Sequence, residues 1–286
     1  MCILCNLSAN LIIITLKSFA TDFGLSDGSV GVVKGVINRI DPELKVLDIS
    51  HNINPQDIRG GSLLLMRAIQ YLPKGVLLGV VDPGVGTDRK AIVLETEWGY
   101  MVGPDNGLLN LAAATVGGAI RAFELTNENW IIPSEGSTFE ARDKFAPFAA
   151  ALASGQIKIE EVGSKLELEL LSNMLIPLTE VKDGVVKGLV LWNDHFGNSQ
   201  TNITPSELND IGVEKSEAVD LKIGDSSIVA NWFNTYQELE ENTPGIVTDS
   251  WGMISIVINN KSALDNLNTT EGTKIEIKLS NSTKNQ

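Results

Sequence analysis

Residues 76–90 read VLLGVVDPGVGTDRK. Val76 to Val81 is a continuous apolar run of strand length, cut off by Asp82-Pro83-Gly84, with Gly86 as a second flexible point. A run that is apolar on both faces predicts a strand buried in the middle of a sheet covered by helices. In open α/β sheets, ligands bind outside the carboxyl ends of the strands. Asp82 therefore stands where chemistry is usually placed, and Arg89 can fold back towards it across a Gly-rich loop. The same Asp-Pro-Gly is also an ordinary turn signal, with a structural Asp–Arg pair as its simplest use. Spacing alone leaves both readings open.

On the N-terminal side, residues 11–16 read as part of a first core strand and residues 1–9 as a poorly ordered leader. The polar loop Thr21 to Ser29 follows, then a helical pattern in which Val30, Val33, Ile37 and Ile40 recur before Pro42 stops it. Asp22, at a strand end, suits the vicinal hydroxyls of a sugar. Asp27 or Ser29 suits a helix N-cap. Val46 to Ile49 reads as a short strand, and a helix runs from about Ile58 towards Pro73. His51, in the loop between them, reads as a hydrogen-bonded structural residue or as a catalyst.

On the C-terminal side, Ala91 to Thr96 and Tyr100 to Val102 read as paired strands around Trp98-Gly99, and Leu108 to Thr115 as a helix. Ala122 to Leu125 reads as a strand, and Ser137 to Asp143 opens a helix with an Ala-rich face that ends near Gly155. Strands alternating with helices over this length call for a mainly parallel α/β sheet. From about residue 180 the pattern becomes short β segments separated by polar turns, among them Val185 to Trp192, Ala218 to Ile223 and Lys274 to Leu279. That predicts a second, all-β domain, a small barrel or sandwich. The expected division is an α/β domain over 10–178 and a β domain over 179–286, with the Leu-rich acidic stretch 160–177 as connector.

Composition sets the outer limits. At 286 residues, with 43% hydrophobic and 20% charged residues, the chain can bury a real core. A formal net charge of -14 argues against nucleic acid or an anionic membrane as partner and mildly favours a cationic small molecule. The cysteines are Cys2 and Cys5, too few for a disulfide framework or a four-cysteine zinc site and compatible with a reducing, cytoplasmic setting. The apolar N-terminal run lacks a basic region before it and is too short and interrupted to span a bilayer.

Several familiar sites are missing: there is no GxxxxGK[ST] loop, no complete dinucleotide fingerprint and no GxSxG elbow. The two histidines lie far apart in sequence and suggest no metal cluster. What remains are loops carrying Asp22, Asp27, Ser29, Asp82, Arg89, Asp105, Asn106, Glu140, Arg142 and Asp143, and a later loop from Asn193 to Asn198. Such a set suits polar recognition of a small organic ligand and activation of water, without naming the reaction.

Taken in order, TDFGLSDGSVGVVKGV (21–36), DISHNINPQDIRGGS (48–62), VVDPGVGTDRK (80–90), VGPDNGLL (102–109), STFEARDKFAP (137–147), DHFGNSQTNI (194–203) and DSWGMISIVIN (249–259) resemble the S-adenosyl-L-methionine (SAM) hydroxide adenosyltransferase family. The resemblance implies an α/β domain followed by a small β-barrel, and a homotrimer with each active site between the α/β domain of one subunit and the barrel of its neighbour. It implies displacement at ribose C5′ of SAM by water or hydroxide, leaving adenosine and releasing methionine, with no metal or redox cofactor.

By motif, Asp82 and Arg89 match two of the family residues that hold the nucleophilic water, and Arg89 would keep Asp82 ionised. The family's usual Phe-His-Gly-Arg-Asp reads Phe139-Glu140-Ala141-Arg142-Asp143 here, so Glu140 replaces the third residue, a histidine. A second carboxylate beside Asp82 would tend to raise one pKa of the pair and help a general base. If Glu140 turns away, the chain is instead a SAM or adenosine binder without turnover. Halogenation, the reaction of related enzymes, is disfavoured because two carboxylates would repel a desolvated halide by several kcal/mol.

For binding, the resemblance places Asp22 on the ribose hydroxyls and Asp27 and Ser29 close to the substrate. Asp194 and Ser250 would hold the methionine ammonium and carboxylate, with Phe196, Asn198 and the backbone near Asn260 on the adenine side. Trp251 stands where the halogenases carry an Arg, and could shield the sulfonium by a cation–π contact or simply pack in the barrel.

Overall fold

The structure is a computed structural model that describes residues 16–280; the leader, both cysteines and the expected strand start at residues 11–15 lie outside the described residues. Two compact units divide the chain, one up to Met174 and one from Leu175 onward.

The first unit contains β1 (Leu16–Thr21), α1 (Ser29–Ile40), β2 (Asp48–Ser50), α2 (Ile58–Ile69), β3 (Gly75–Val80), β4 (Ala91–Glu95), β5 (Gly99–Pro104), α3 (Asn110–Thr115), β6 (Arg121–Glu124), α4 (Ala146–Ser154) and β7 (Lys165–Leu166). Its sheet has the order β2-β1-β3-β5-β4-β6-β7. Strands β2, β1, β3, β5 and β6 point one way, and β4 and β7 point the other. The sheet is thus mainly parallel in strand direction, as its sequence predicts. The reversed β4 follows from the tight turn at Trp98-Gly99, because two strands joined by so short a link must be antiparallel.

The apolar run of β3 is explained by what covers it. Val76, Leu78 and Val80 pack with α1 and α4 residues such as Val33, Ile37 and Phe148. Leu77 and Val81, on the opposite face, pack with Leu65 and Ile69 of α2 and with Leu108, Leu109 and Ala112 around α3. Every residue of β3 is buried. Each face of the strand feeds its own helix layer, so no position is left for a polar residue until the strand ends. The stretch expected to serve only as connector also contributes to this sheet, since Lys165 and Leu166 pair with Phe123 and Ala122.

The second unit contains β8 (Glu180–Lys182), β9 (Val185–Asn193), β10 (Ser199–Thr201), α5 (Pro205–Asp210), β11 (Ala218–Ile223), β12 (Ser226–Phe233), β13 (Pro244–Thr248), β14 (Ile254–Ile258), α6 (Ala263–Leu267) and β15 (Lys274–Leu279). The order β9-β10-β14-β13-β12-β11-β15 closes on itself because β15 pairs back to β9, and β8 is appended to β9. This is the small barrel, and closure removes the unpaired strand edges. Its core includes Val190, Val219, Leu221, Trp232, Ile246, Ile256, Ile275 and Ile277.

The closing strand β10 reads Ser-Gln-Thr and gives no hydrophobic signal, yet all three residues are buried. They are tolerated because their polar groups are paired: Ser199 Oγ with Thr269 Oγ1 at 2.5 Å, and Thr201 Oγ1 donating to the Ile254 carbonyl at 2.7 Å. Among the described residues no helix is long and apolar enough to cross a membrane.

Candidate active site

Asp82 follows directly on the buried end of β3, and the chain reverses there through Val85 N–H to the Asp82 carbonyl and Thr87 N–H to the Gly84 carbonyl. Gly86 adopts φ 79°, a left-handed conformation that favours glycine. The turn returns Arg89 across the loop. Its Nε donates to both Asp82 carboxylate oxygens, at 2.9 and 3.0 Å, and its Nη2 donates to Asp82 and to Glu140. The side chains are only 6% (Asp82), 11% (Arg89) and 16% (Glu140) exposed, so the charges face one another with little water between them. Phe145 lies beneath the guanidinium, 5.2 Å from Cζ to the ring centre. Burial would favour the neutral form of Arg89, but Asp82 and Glu140 outweigh it and raise its pKa.

Asn106 braces this strand end. Its Nδ2 donates to the Val81 carbonyl at 2.9 Å, and its Oδ1 accepts the Leu108 N–H. The sequence singles out Asn106 only as one of several loop polar residues. Asp105 is tied elsewhere, with Oδ1 accepting the Ser172 N–H.

Glu140 comes from the other side of the cavity, immediately before a π-helical turn, Ala141–Phe145, that leads into α4. Pro147 explains the wide turn. It has no N–H to give the Asp143 carbonyl, which instead accepts the Ile132 N–H at 2.9 Å. The second carboxylate is expected to raise one pKa of the pair; at Glu140 the pKa shifts downward. Burial raises it, but hydrogen bonds from Lys144 and Arg89 prevail and hold it below the usual carboxylate range. Lys144 Nζ lies 2.9 Å from the Glu140 oxygen that Arg89 does not use. Arg142 is occupied, bonded to Asp143 and stacked on Phe139. Both Glu140 oxygens are thus engaged by cations, which makes Glu140 an ionised clamp and a poor proton acceptor.

Asp22 completes the wall. One of its oxygens accepts the Gln56 N–H at 2.8 Å, and Gln56 itself adopts φ 67°. Asp22, Gln56, Asp82, Phe139 and Glu140 line a cavity of about 220 Å³. Asp27 and Ser29 are not among its lining residues. The N-cap of α1 is Gly28, which offers no side-chain cap, and not Asp27 or Ser29 as expected. Asp27, one residue earlier, accepts the Ser29 N–H at 2.9 Å, and this hydrogen bond is the main cause of its lowered pKa. His51 is buried between Thr21 Oγ1 at 2.9 Å and Asp48 at 3.0 Å, edge-on to Phe19, which is a structural setting.

In the barrel, Asp194 follows directly on β9 and closes the turn to β10. Its carboxylate accepts the N–H groups of Phe196 and Asn198 and the Asn198 side-chain amide, all at 2.8–2.9 Å. Gly197 is left-handed at φ 80° and its missing Cβ makes room for Ser262. Ser250 and Trp251 lie on the β13–β14 turn, which Asp249 organises. The Asp249 carboxylate accepts N–H groups of Trp251 and Met253, the Gln200 amide and the Ser255 hydroxyl.

Asp194, Asn198, Ser250 and Trp251 line a hollow of about 250 Å³. Asp194, Phe196, Asn198 and Asn260 line a second one of about 580 Å³. Tyr236 belongs to both. Burial, followed by the charges of Asp194 and Asp249, raises its pKa. Sequence reasoning assigns no role to Asp249 or Tyr236. Asp249 heads a quoted stretch, but an Asp at a turn carries no sign of which amides it will bind.

Among the described residues no group of three or more His, Cys, Asp or Glu side chains is arranged to hold a metal ion.

Residues 18–163 match a family model described as the SAM hydroxide adenosyltransferase N-terminal domain, and residues 188–276 match its C-terminal counterpart. An (R)-S-adenosyl-L-methionine hydrolase of Salinispora tropica is 38% identical over 264 residues, covering 91% of this chain and 96% of the relative. A fluorinase of an Actinoplanes species is 28% identical over 223 residues, covering 68% of this chain and 74% of the relative. A crystal structure of a conserved protein from Thermotoga maritima superposes with a TM-score of 0.84 at 34% identity, covering 91% of this chain and 99% of that one.

Proposed function

The chain belongs to the SAM hydroxide adenosyltransferase family, and from that premise we propose that it hydrolyses SAM to adenosine and L-methionine by attack of water at ribose C5′. The observation that carries this reading is the Asp82–Arg89 fork at the end of β3, facing the cavity that Asp22 also lines.

The sulfonium needs no protonation to leave, so the protein's task is to hold an oxygen in line with the C5′–S bond and take up its proton. Oxygen bonds to C5′ as the C5′–S bond breaks, the electron pair passes to sulfur, and methionine departs as a neutral thioether. Asp82 receives the proton. Its carboxylate has lone pairs beyond those that Arg89 occupies, and the guanidinium stabilises hydroxide-like charge on the attacking oxygen. Asp22 holds the ribose hydroxyls, and Asp27 and Ser29 border the substrate. Asp194, Ser250 and Trp251 receive the methionine end, and Phe196, Asn198 and Asn260 the adenine. No cofactor takes part. A halide would meet the Asp82 carboxylate at the attacking position, so water is the nucleophile.

The active assembly is a cytoplasmic homotrimer in which the α/β domain (10–178) of one subunit and the barrel domain (179–286) of its neighbour complete each site. Light scattering should therefore return the mass of three chains.

The deciding experiment incubates the protein with each sulfonium epimer of SAM in ¹⁸O-water. Label at the adenosine 5′-oxygen, lost in Asp82→Ala, supports the mechanism. The engagement of both Glu140 oxygens by cations favours a second reading, a SAM binder without turnover. Calorimetric SAM binding with no adenosine formed would select it.

A further inference from the structure

The replacement of histidine by Glu140 places a second carboxylate against Asp82, and among the described residues the cation shared between them is Arg89. Two anions and one cation, all with side chains less than a fifth exposed, would leave one negative charge uncompensated in a partly desolvated cavity. Lys144 supplies the missing charge. Its Nζ is 2.9 Å from Glu140 Oε1, while Glu140 Oε2 accepts from Arg89, so the charges alternate along Asp82, Arg89, Glu140 and Lys144. The π turn sets the ammonium over its partner, and its side chain is itself only 24% exposed.

We propose that Lys144 is a positioning residue of this site: it holds the far oxygen of Glu140, so that Glu140 clamps the Arg89 guanidinium instead of reaching for the nucleophilic water. The inference rests on the hydrolase reading for its effect on rate, but the clamp itself is a property of the folded chain. It makes positions 140 and 144 one unit. Glu140→His alone then leaves Lys144 without its carboxylate beside a titrating imidazole, so the single variant should be less active than Glu140→His with Lys144→Met.

The charged groups facing Glu140 are Arg89 and Asp82 from the β3–β4 loop, Asp22 from the cavity wall and Lys144 from its own turn. Of these, Arg89 and Lys144 lower its pKa, and removing Lys144 removes one of the two. The test follows the carboxyl carbon of Glu140 by ¹³C NMR across pH, with the resonance assigned by its loss in Glu140→Gln, alongside the pH profile of kcat/KM. In Lys144→Met the Glu140 midpoint should rise by about one pH unit or more. The acid limb of the rate profile should move up with it, and Lys144→Arg should restore both. Lys144→Gln serves the same measurement if the Met variant does not fold. A midpoint and acid limb unmoved in a well-folded Lys144→Met protein would overturn the proposal. If the natural sequence forms no adenosine, the hydrolase reading fails by itself, and the NMR titration still decides what Lys144 does.

Discussion

Replacing Arg89 with Met tests whether the fork is ionic and desolvated, or simply two carboxylates near a flexible cation. Met keeps a comparable aliphatic stem over Phe145 and removes the guanidinium, leaving Asp82 and Glu140 with side chains 6% and 16% exposed. Removing one partner of a buried pair costs about 3–5 kcal/mol. Glu140 retains Lys144, so the low end applies, about 3 kcal/mol. At about 2–4 °C per kcal/mol for a unit of this size, Tm should fall by roughly 6–12 °C at neutral pH.

The pH dependence has a definite sign. The folded-state pKa of Glu140 is depressed, so its contribution is fully present above the unfolded carboxyl value of about 4.3 and is lost as pH falls through the folded value. The gap between Arg89→Met and the natural sequence should therefore narrow on acidification below that range. Differential scanning calorimetry from neutral pH to pH 3 measures it. A Tm within about 2 °C of the natural sequence at pH 7, or a gap that stays constant or widens in acid, would refute the ionic account.

Three further outcomes follow from the geometry. Pro147→Ala restores an N–H that can compete for the Asp143 carbonyl and tighten the π turn, so adenosine formation should fall while Tm holds or rises, as steady-state assays and calorimetry would register. Asn106→Ala orphans the buried Val81 carbonyl beside Asp82 and should cost about 1–3 kcal/mol in urea unfolding, with a loss of activity larger than that stability change explains. Asp249→Asn replaces an acceptor of four hydrogen bonds with a group that accepts on one oxygen only. Amide exchange on the Ser250–Trp251 turn should then accelerate by an order of magnitude or more, about 1.4 kcal/mol per tenfold, with the β3 core unaffected.

Residues 76–90 by themselves determine a great deal. An apolar run with no polar gap must be covered on both faces, and the first carboxylate after it must lie at the strand's carboxyl end. Asp82 and Arg89 were legible as a pair because a short loop with glycines cannot carry Arg89 far from the strand it leaves. The barrel was legible as β structure from alternation, but not as a closed ring. Closure depends on β10, whose Ser199, Gln200 and Thr201 pair with β9 on one side and β14 on the other.

Tertiary structure alone decided the state of Glu140. Periodicity reports which face of an element is buried, and a motif reports which residue types recur. Neither reports which charge will meet which across 51 residues of chain, the separation between Arg89 and Glu140. A carboxylate next to another carboxylate should have its proton affinity raised. Between a guanidinium and an ammonium in the same half-buried cavity it is lowered, because the two cations stabilise its charge by more than burial penalises it.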